Sequence, residues 1–488
     1  MTAILNCSKK GQVYRPRQPE KTVLFQVIKK HYKTWHKNAK DPIPSYIDKE
    51  FKKYLGCGIL AKGFAYAHCE GCSKDFLIAF SCKGRGICPS CNTRTMVETA
   101  ANLIENLIPC VPCRQWVISF PLSIRHYLQM QKILQDVLRI VVDEIKKKLI
   151  TCSPDASNPQ IGAASFIQNF GNSLNVHPHF HIIAADGIFS VDGADLKFYE
   201  TCLTADDIAD TQDTIQKRVL KFFVRRGWFD KKAVEKMLTY ENNGFSLDAK
   251  LKVQSWDRDG LERLIRYCAR PPFASENLRM HGSLLIYRFP KRAHTGQTYI
   301  QLTPLDFIEK IVALIPPPHR HRRHYHGVFA PSSPLRKKVV ANAKEKPEAF
   351  TPGVNEAADK VKKVSINWAM LIARIYEIEP LTCNSCGKKI KILSFVTKPE
   401  EIRRILRGTI WLLDPPEFDP PYDLDHWNIC QLILGTQDGF PEDEWQVECD
   451  TGPDPPWEET CDPPHWEDQV YFDLPHCQDN IDPPHFEE

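Results

Sequence analysis

Apolar residues recur at helical intervals along residues 127–150, where Leu128, Ile133, Leu134, Val137, Leu138, Val141, Val142 and Ile145 would line one face of a long amphipathic helix. Residues 22–32, 47–54, 213–226, 261–268 and 304–314 show helix-like patterns over shorter lengths. Apolar runs bounded by turn residues predict strands at 115–120, 163–168, 176–184, 283–289 and 298–302. Pro121 ends the first of these, and residues 169–175 turn between the second and third.

The pattern also divides the chain. Residues 1–21 are polar and expected to be disordered, and residues 57–91 are rich in cysteine with little helical character. Pro316, Pro317 and Pro318 mark a boundary, residues 337–364 read as a charged linker, and an ordered segment with a further cysteine pair follows to Arg407. From Asp414 onward Asp-Pro-Pro recurs at Asp414, Asp419, Asp454, Asp462 and Asp482, without the apolar density a core requires. The expected organisation is a zinc-binding, DNA-binding domain over 22–112, a catalytic domain over 113–334, a C-terminal region over 335–410 and a disordered acidic tail over 411–488.

Charge sharpens this division. All 64 Lys and Arg residues lie within 1–407 and 22 of the 60 acids lie after residue 413, so the body holds 64 basic against 38 acidic side chains, a net of +26. Such a body attracts polyphosphate, and the tail is expected to compete with nucleic acid for it. No apolar run is long enough to span a bilayer and residues 1–20 carry no secretory signal. The expected compartment is therefore the cytoplasm, in association with the nucleoid, where the 18 cysteines stay reduced.

Cysteines paired at short spacing in such a protein read as metal ligands. Cys69 and Cys72 form one Cys-x-x-Cys knuckle and Cys88 and Cys91 another, and two knuckles complete one closed tetrahedral zinc site. Cys57, His68 and Cys82 are further candidates that leave room for a second ion or a different ligand set. Cys110 and Cys113 have no partner knuckle and read as core cysteines. Along the strand Val-His-Pro-His-Phe-His, alternate residues share a face, which aligns His177, His179 and His181 and turns Phe180 and Ile182 to the core. Imidazoles two residues apart stand about 7 Å from each other along the backbone, close enough to hold one divalent ion. On the helix at 261–268, Leu261, Leu264, Ile265 and Cys268 form the apolar face, and Arg263, Tyr267 and Arg270 fall on a polar stripe beside it. A tyrosine between arginines is placed to attack a phosphodiester whose charge the arginines offset.

In order along the chain, FSCKGRGICPSC (80–91), QWVISFP (115–121), FIQNFG (166–171), HPHFH (177–181), Asp186-Gly187, RYCARPP (266–272), YHGVFAP (325–331) and CNSCG (383–387) together resemble a known family. It is that of the rolling-circle insertion-sequence transposases of the HUH endonuclease superfamily, whose members carry an N-terminal zinc domain. The resemblance spans about residues 22–410. It implies an α+β fold, a central antiparallel sheet with flanking helices, with the two-histidine strand at its centre. It further implies that His179 and His181 hold Mg²⁺ or Mn²⁺, with His177 or the carboxylate of Glu262 as third ligand. Tyr267 would form a 5′-phosphotyrosine link on single-stranded DNA at the transposon ends and free a 3′-hydroxyl. Two-tyrosine members carry a second tyrosine where this chain has Arg263, so it resembles the single-tyrosine branch.

Two other readings share some of these features. A rolling-circle replication initiator or relaxase uses the same histidines and tyrosine, but no Gly-x-x-x-x-Gly-Lys-Ser/Thr loop is present, so strand opening would fall to a host helicase. A non-catalytic zinc-binding DNA-binding protein would bind DNA without nicking it.

Overall fold

Six antiparallel strands make the central sheet, and its order grows outward from the turn at residues 171–175. Gly162–Phe170 and Val176–Ala185, both anticipated as apolar runs, pair directly across that turn. Cys113–Ser119 flanks Val176–Ala185 on its other side, Arg323–Gly327 closes the far edge, and the short strands Ser246–Asp248 and Lys252–Val253 both pair with Cys113–Ser119. Directly paired residues point to the same face. The register therefore sets His179 between Gln168 and Ser119, and His181 between Phe166 and Val117.

The computed structural model describes residues 18–153, 158–192, 195–238, 244–290, 292, 296–344, 383 and 386–408. The acidic tail expected at 411–488 lies outside the described residues. Two expectations are corrected at the edges. Residues 19–21, expected to be disordered, form a turn of 3-10 helix with Pro19 buried, and the start of the segment 337–364, expected to be a charged linker, belongs to the helix Arg336–Lys344 with Val339 buried. Among the described residues, no helix is long and apolar enough to cross a membrane.

Strand alternation divides the side chains of the sheet between two helical layers. Trp116, Ile118, Phe120, Ile167, Phe180 and Ile182 face the helices Gln131–Thr151 and Ala205–Arg225. The first of these buries Ile133, Leu134, Val137, Leu138, Val141 and Ile145, the stripe its spacing requires; each such side chain contributes about 1.5–3 kcal/mol relative to exposure. On the opposite face, Ala164, Phe166 and Ile183 pack with Ala100 and Leu103 of the helix Pro89–Asn106 and with Leu261, Leu264 and Ile265 of the helix Arg258–Cys268. The histidines belong to this second face.

At the end of the histidine strand, Asp186 is fully buried and accepts from Arg114 Nε at 2.7 Å and Nη2 at 3.0 Å, with Lys252 Nζ at 2.8 Å. Arg114 also donates to the carbonyl of Ala249, so three strands are fastened at one point. Removing one partner of a buried pair strands the other charge, at a cost of about 3–5 kcal/mol. Asp186→Leu is therefore expected to destabilise the fold by that amount in urea titration, and a change below about 1 kcal/mol would reduce the network to a surface-like pair.

A second, three-stranded sheet joins distant parts of the chain. Phe64–Cys69 pairs with Asp75–Ala79 on one side and with Ile390–Val396 on the other, and the helix Pro399–Gly408 covers Phe64 and Val396 with Ile402 and Leu406. Residues 390–408 thus lie against the cysteine-rich segment. The helices Val23–Asn38 and Ser45–Leu55 pack with Pro304–Leu314 and with the hairpin Leu278–His281 and Leu284–Arg288, in a core that also contains Cys57, Cys88 and Cys91.

Candidate active site and metal centres

The helix that carries Tyr267 is held at both ends. At its start Asp257 caps the amide of Gly260 at 2.8 Å. Arg258 donates to the carbonyls of Ile104, Ile108 and Pro109 at 2.6–3.0 Å, filling acceptors left at the end of Pro89–Asn106. At its finish Gln168 reaches from the sheet and donates to the carbonyls of Tyr267 and Cys268 at 3.2 and 2.9 Å. The helix ends at Cys268, ahead of Pro271 and Pro272.

Held this way, Tyr267 meets the histidine strand. Its ring stands edge-on to His181 with centroids 5.6 Å apart, and the guanidinium of Arg270 lies 4.6 Å from its centroid. The three imidazoles form a row, 5.2 Å from His177 to His179 and 5.0 Å from His179 to His181. Phe180 and Ile182 are buried on the other face, as their alternation requires. Arg263 sits one turn before Tyr267 on the same helix and is half-buried. The carboxylate of Glu262 is ion-paired with Arg266 at 2.5 Å, which commits it locally.

Second partners orient two of the rings. His179 Nδ1 donates to the carbonyl of His177 at 2.9 Å, and the Gln115 amide nitrogen donates to His181 Nδ1 at 2.9 Å. The Nε2 atoms of His177 and His181 are buried without a hydrogen-bond partner. Burial pushes the His177 and His181 imidazoles well below their ordinary range, reinforced by Arg125 and His179 for the former and by His179 and Arg270 for the latter. Both rings are therefore neutral at neutral pH, the form that binds metal.

The cysteines sort differently from their order in sequence. Cys57, Cys82, Cys88 and Cys91 make one cluster, with sulfurs 3.6 Å apart for Cys57–Cys88, 3.7 Å for Cys57–Cys91 and 3.4 Å for Cys82–Cys91. Cys69, Cys72, Cys383 and Cys386 make another, with 3.4 Å for both Cys69–Cys386 and Cys72–Cys383. With Zn–S bonds of about 2.3 Å, a tetrahedral ion needs sulfurs about 3.8 Å apart, close to these values. The expectation that Cys69, Cys72, Cys88 and Cys91 share one site is corrected: each knuckle finds its partners elsewhere. The main-chain amides of Cys82 and Gly84 point at the Cys57 and Cys82 sulfurs, each at 3.3 Å, which suits thiolates. His68 is hydrogen-bonded to Asp75 at 2.7 Å, and Cys110 and Cys113 join neither cluster. Among the described residues these quartets are the groups whose ligand atoms gather within 4.8 Å, and the three histidines converge less tightly.

Gln115, Gln168 and Arg258 were not anticipated as positioning residues. Their signal is an isolated amide at each of two buried strand positions, both 2% exposed, and an arginine at the start of the tyrosine helix.

Residues 162–337 match the family described as "Putative transposase", and residues 27–120 match "Transposase zinc-binding domain". The transposase for insertion sequence element IS801 of Pseudomonas savastanoi pv. phaseolicola is 21% identical over 355 residues, covering 69% of this chain and 81% of that protein. No solved structure matches. These matches define a class of protein, a transposase with a zinc-binding segment ahead of its transposase domain. The chain thus carries two transposase modules in series, a zinc-binding domain and a transposase domain, and is similar to the IS801 enzyme.

Proposed function

We propose that this transposase nicks and rejoins single-stranded DNA at the ends of its element through a covalent tyrosine intermediate. The observation that carries the reading is the edge-on approach of Tyr267 to His181 with Arg270 over the same ring. The phenol gives up its proton and Tyr267 Oη attacks the scissile phosphorus. The bond from phosphorus to the 3′ oxygen breaks, and that oxygen gains a proton and leaves as a 3′-hydroxyl. The other strand segment stays on Tyr267 through its 5′-phosphate. Rejoining reverses the step: a 3′-hydroxyl attacks the phosphotyrosine and restores the phenol. With Arg263 in place of a second tyrosine, Tyr267 is regenerated before each further cleavage. Arg270 offsets charge on the phenolate and on the phosphate as it expands.

The histidines fit a divalent ion of the Mg²⁺ or Mn²⁺ class, because the His177 and His181 rings are neutral and their Nε2 atoms are buried without a hydrogen-bond partner. His179 and His181 would hold it with His177 beside them, and when bound it supplies Lewis-acid polarisation of the phosphate. Gln115 Nε2 faces His181 Nδ1 and fixes the ring's orientation; a flip of the amide, which sets its oxygen against Nδ1–H, would leave Nε2 to ligate. Single-stranded substrate would come from a separate host helicase. The test is an oligonucleotide carrying one element end, incubated with protein and Mg²⁺. A polymerase-extendable 3′-hydroxyl and a blocked 5′ end are expected at the nick, whereas a free 5′-phosphate would point to hydrolysis and overturn the covalent step.

Each cysteine quartet would hold one structural zinc, a closed set with no open position for chemistry. Metal analysis of the full chain is expected to find two zinc ions, and Cys383→Ser to leave one together with a lower melting temperature. Two ions retained in that variant would refute the second site.

A further inference from the structure

Beside the proposed active site lies a cavity of about 350 Å³, walled by Arg85, Gln168, Arg270, Arg322 and Arg323, and among the described residues none that lines it is acidic. It opens between the zinc-bearing segment, the strand Gly162–Phe170, the end of the tyrosine helix and the approach to Arg323–Gly327. Gln168 belongs to it and also donates to the carbonyl of Tyr267, and Arg270 belongs to it and also covers the Tyr267 ring.

Three of the arginines are bonded to neutral acceptors. Arg85 donates to the carbonyl of Arg320, Arg322 to that of Arg85 at 2.7 Å, and Arg323 to the hydroxyl of Thr99. These contacts fix the guanidinium groups without cancelling their charge. Burial, then the neighbouring charge of Arg85, pulls Arg322 down to about 10, with Glu50 acting the other way. Like charges gathered this closely are costly until an anion joins them.

We propose that this cavity is a phosphate subsite for the single DNA strand, adjoining the phosphate that Tyr267 attacks and built jointly by the zinc-bearing segment and the catalytic sheet. The proposal rests on the strand-cleavage reading for its ligand. Its volume suits one nucleotide unit of a single strand. Arg85 lies between Cys82 and Cys88, so the first zinc cluster fixes the loop that presents it. The zinc segment thereby contributes a guanidinium directly to the strand's path, and loss of that zinc would loosen DNA binding through Arg85.

The test uses the full chain and a short labelled oligothymidylate, with affinity measured across a salt series. Arg85→Gln and Arg322→Gln are each expected to weaken binding roughly ten-fold at low salt and to lower the salt slope by about 0.7, one phosphate contact on a single strand. Arg322→Lys should restore the slope, which a purely structural arginine would not. Lys221→Gln, on the helix Ala205–Arg225 across the sheet, should leave both unchanged. Zinc content and melting temperature equal to wild type would show that the variants fold. Unchanged slopes in folded Arg85 and Arg322 variants would overturn the subsite even where wild-type protein forms the covalent adduct. Weakened binding without any adduct in the wild type would keep the subsite and remove the cleavage reading.

Discussion

Tyr267→Phe abolishes covalent attachment to DNA and leaves the affinity for single-stranded DNA nearly unchanged; this is the largest effect expected of any single substitution. Phenylalanine keeps the ring edge against His181 and the Arg270 contact over it, which is worth roughly 0.5–2 kcal/mol for a half-buried pair. Folding and binding therefore persist, and the one loss is the oxygen that bonds to phosphorus. Adduct yield on a denaturing gel and affinity by fluorescence anisotropy read the two separately. Adduct formation by the variant at the wild-type rate would remove Tyr267 from the mechanism.

His179→Ala and His181→Ala are each expected to remove metal-dependent nicking, with a fall of at least about 10²-fold, since polarising a phosphoryl oxygen supplies several kcal/mol. Excess Mn²⁺ should rescue either variant poorly, because the ligand itself is gone. His177→Ala should be milder if that ring is an auxiliary ligand. Gln115→Leu should weaken the dependence on metal by about 10–100-fold, the usual effect of losing the partner that orients a ligating histidine. Nicking at normal rates by both the His179 and His181 variants would make the row of imidazoles structural.

The faces on which the candidate side chains stand were more legible in the sequence than the connections were. Alternation alone placed His177, His179 and His181 on one face with Phe180 and Ile182 on the other, because a strand has a period of two and tolerates no other arrangement. Helical spacing likewise placed Tyr267 beside an apolar face formed by Leu261, Leu264, Ile265 and Cys268. That this helix crosses the sheet at His181 was not readable, since it depends on Arg258 and Gln168 holding its two ends. The cysteine grouping failed for a related reason. Two-residue spacing fixes that Cys69 and Cys72 act together, but which second pair joins them depends on the chain's path. Here the path returns through Ile390–Val396, more than 300 residues later, and brings Cys383 and Cys386 to them. Cys57 and Cys82, noted as extra candidates, then become equal members of the other quartet.

The measurement that bears most directly on the covalent claim is to incubate the full chain with single-stranded DNA carrying an element end and Mg²⁺, digest the product, and sequence the peptide that bears nucleotide. The expected peptide contains Tyr267, linked through its phenolic oxygen to a 5′-phosphate, and it disappears when Mg²⁺ is chelated. Nucleotide on a different side chain, or cleavage with no nucleotide on any peptide, would contradict the account.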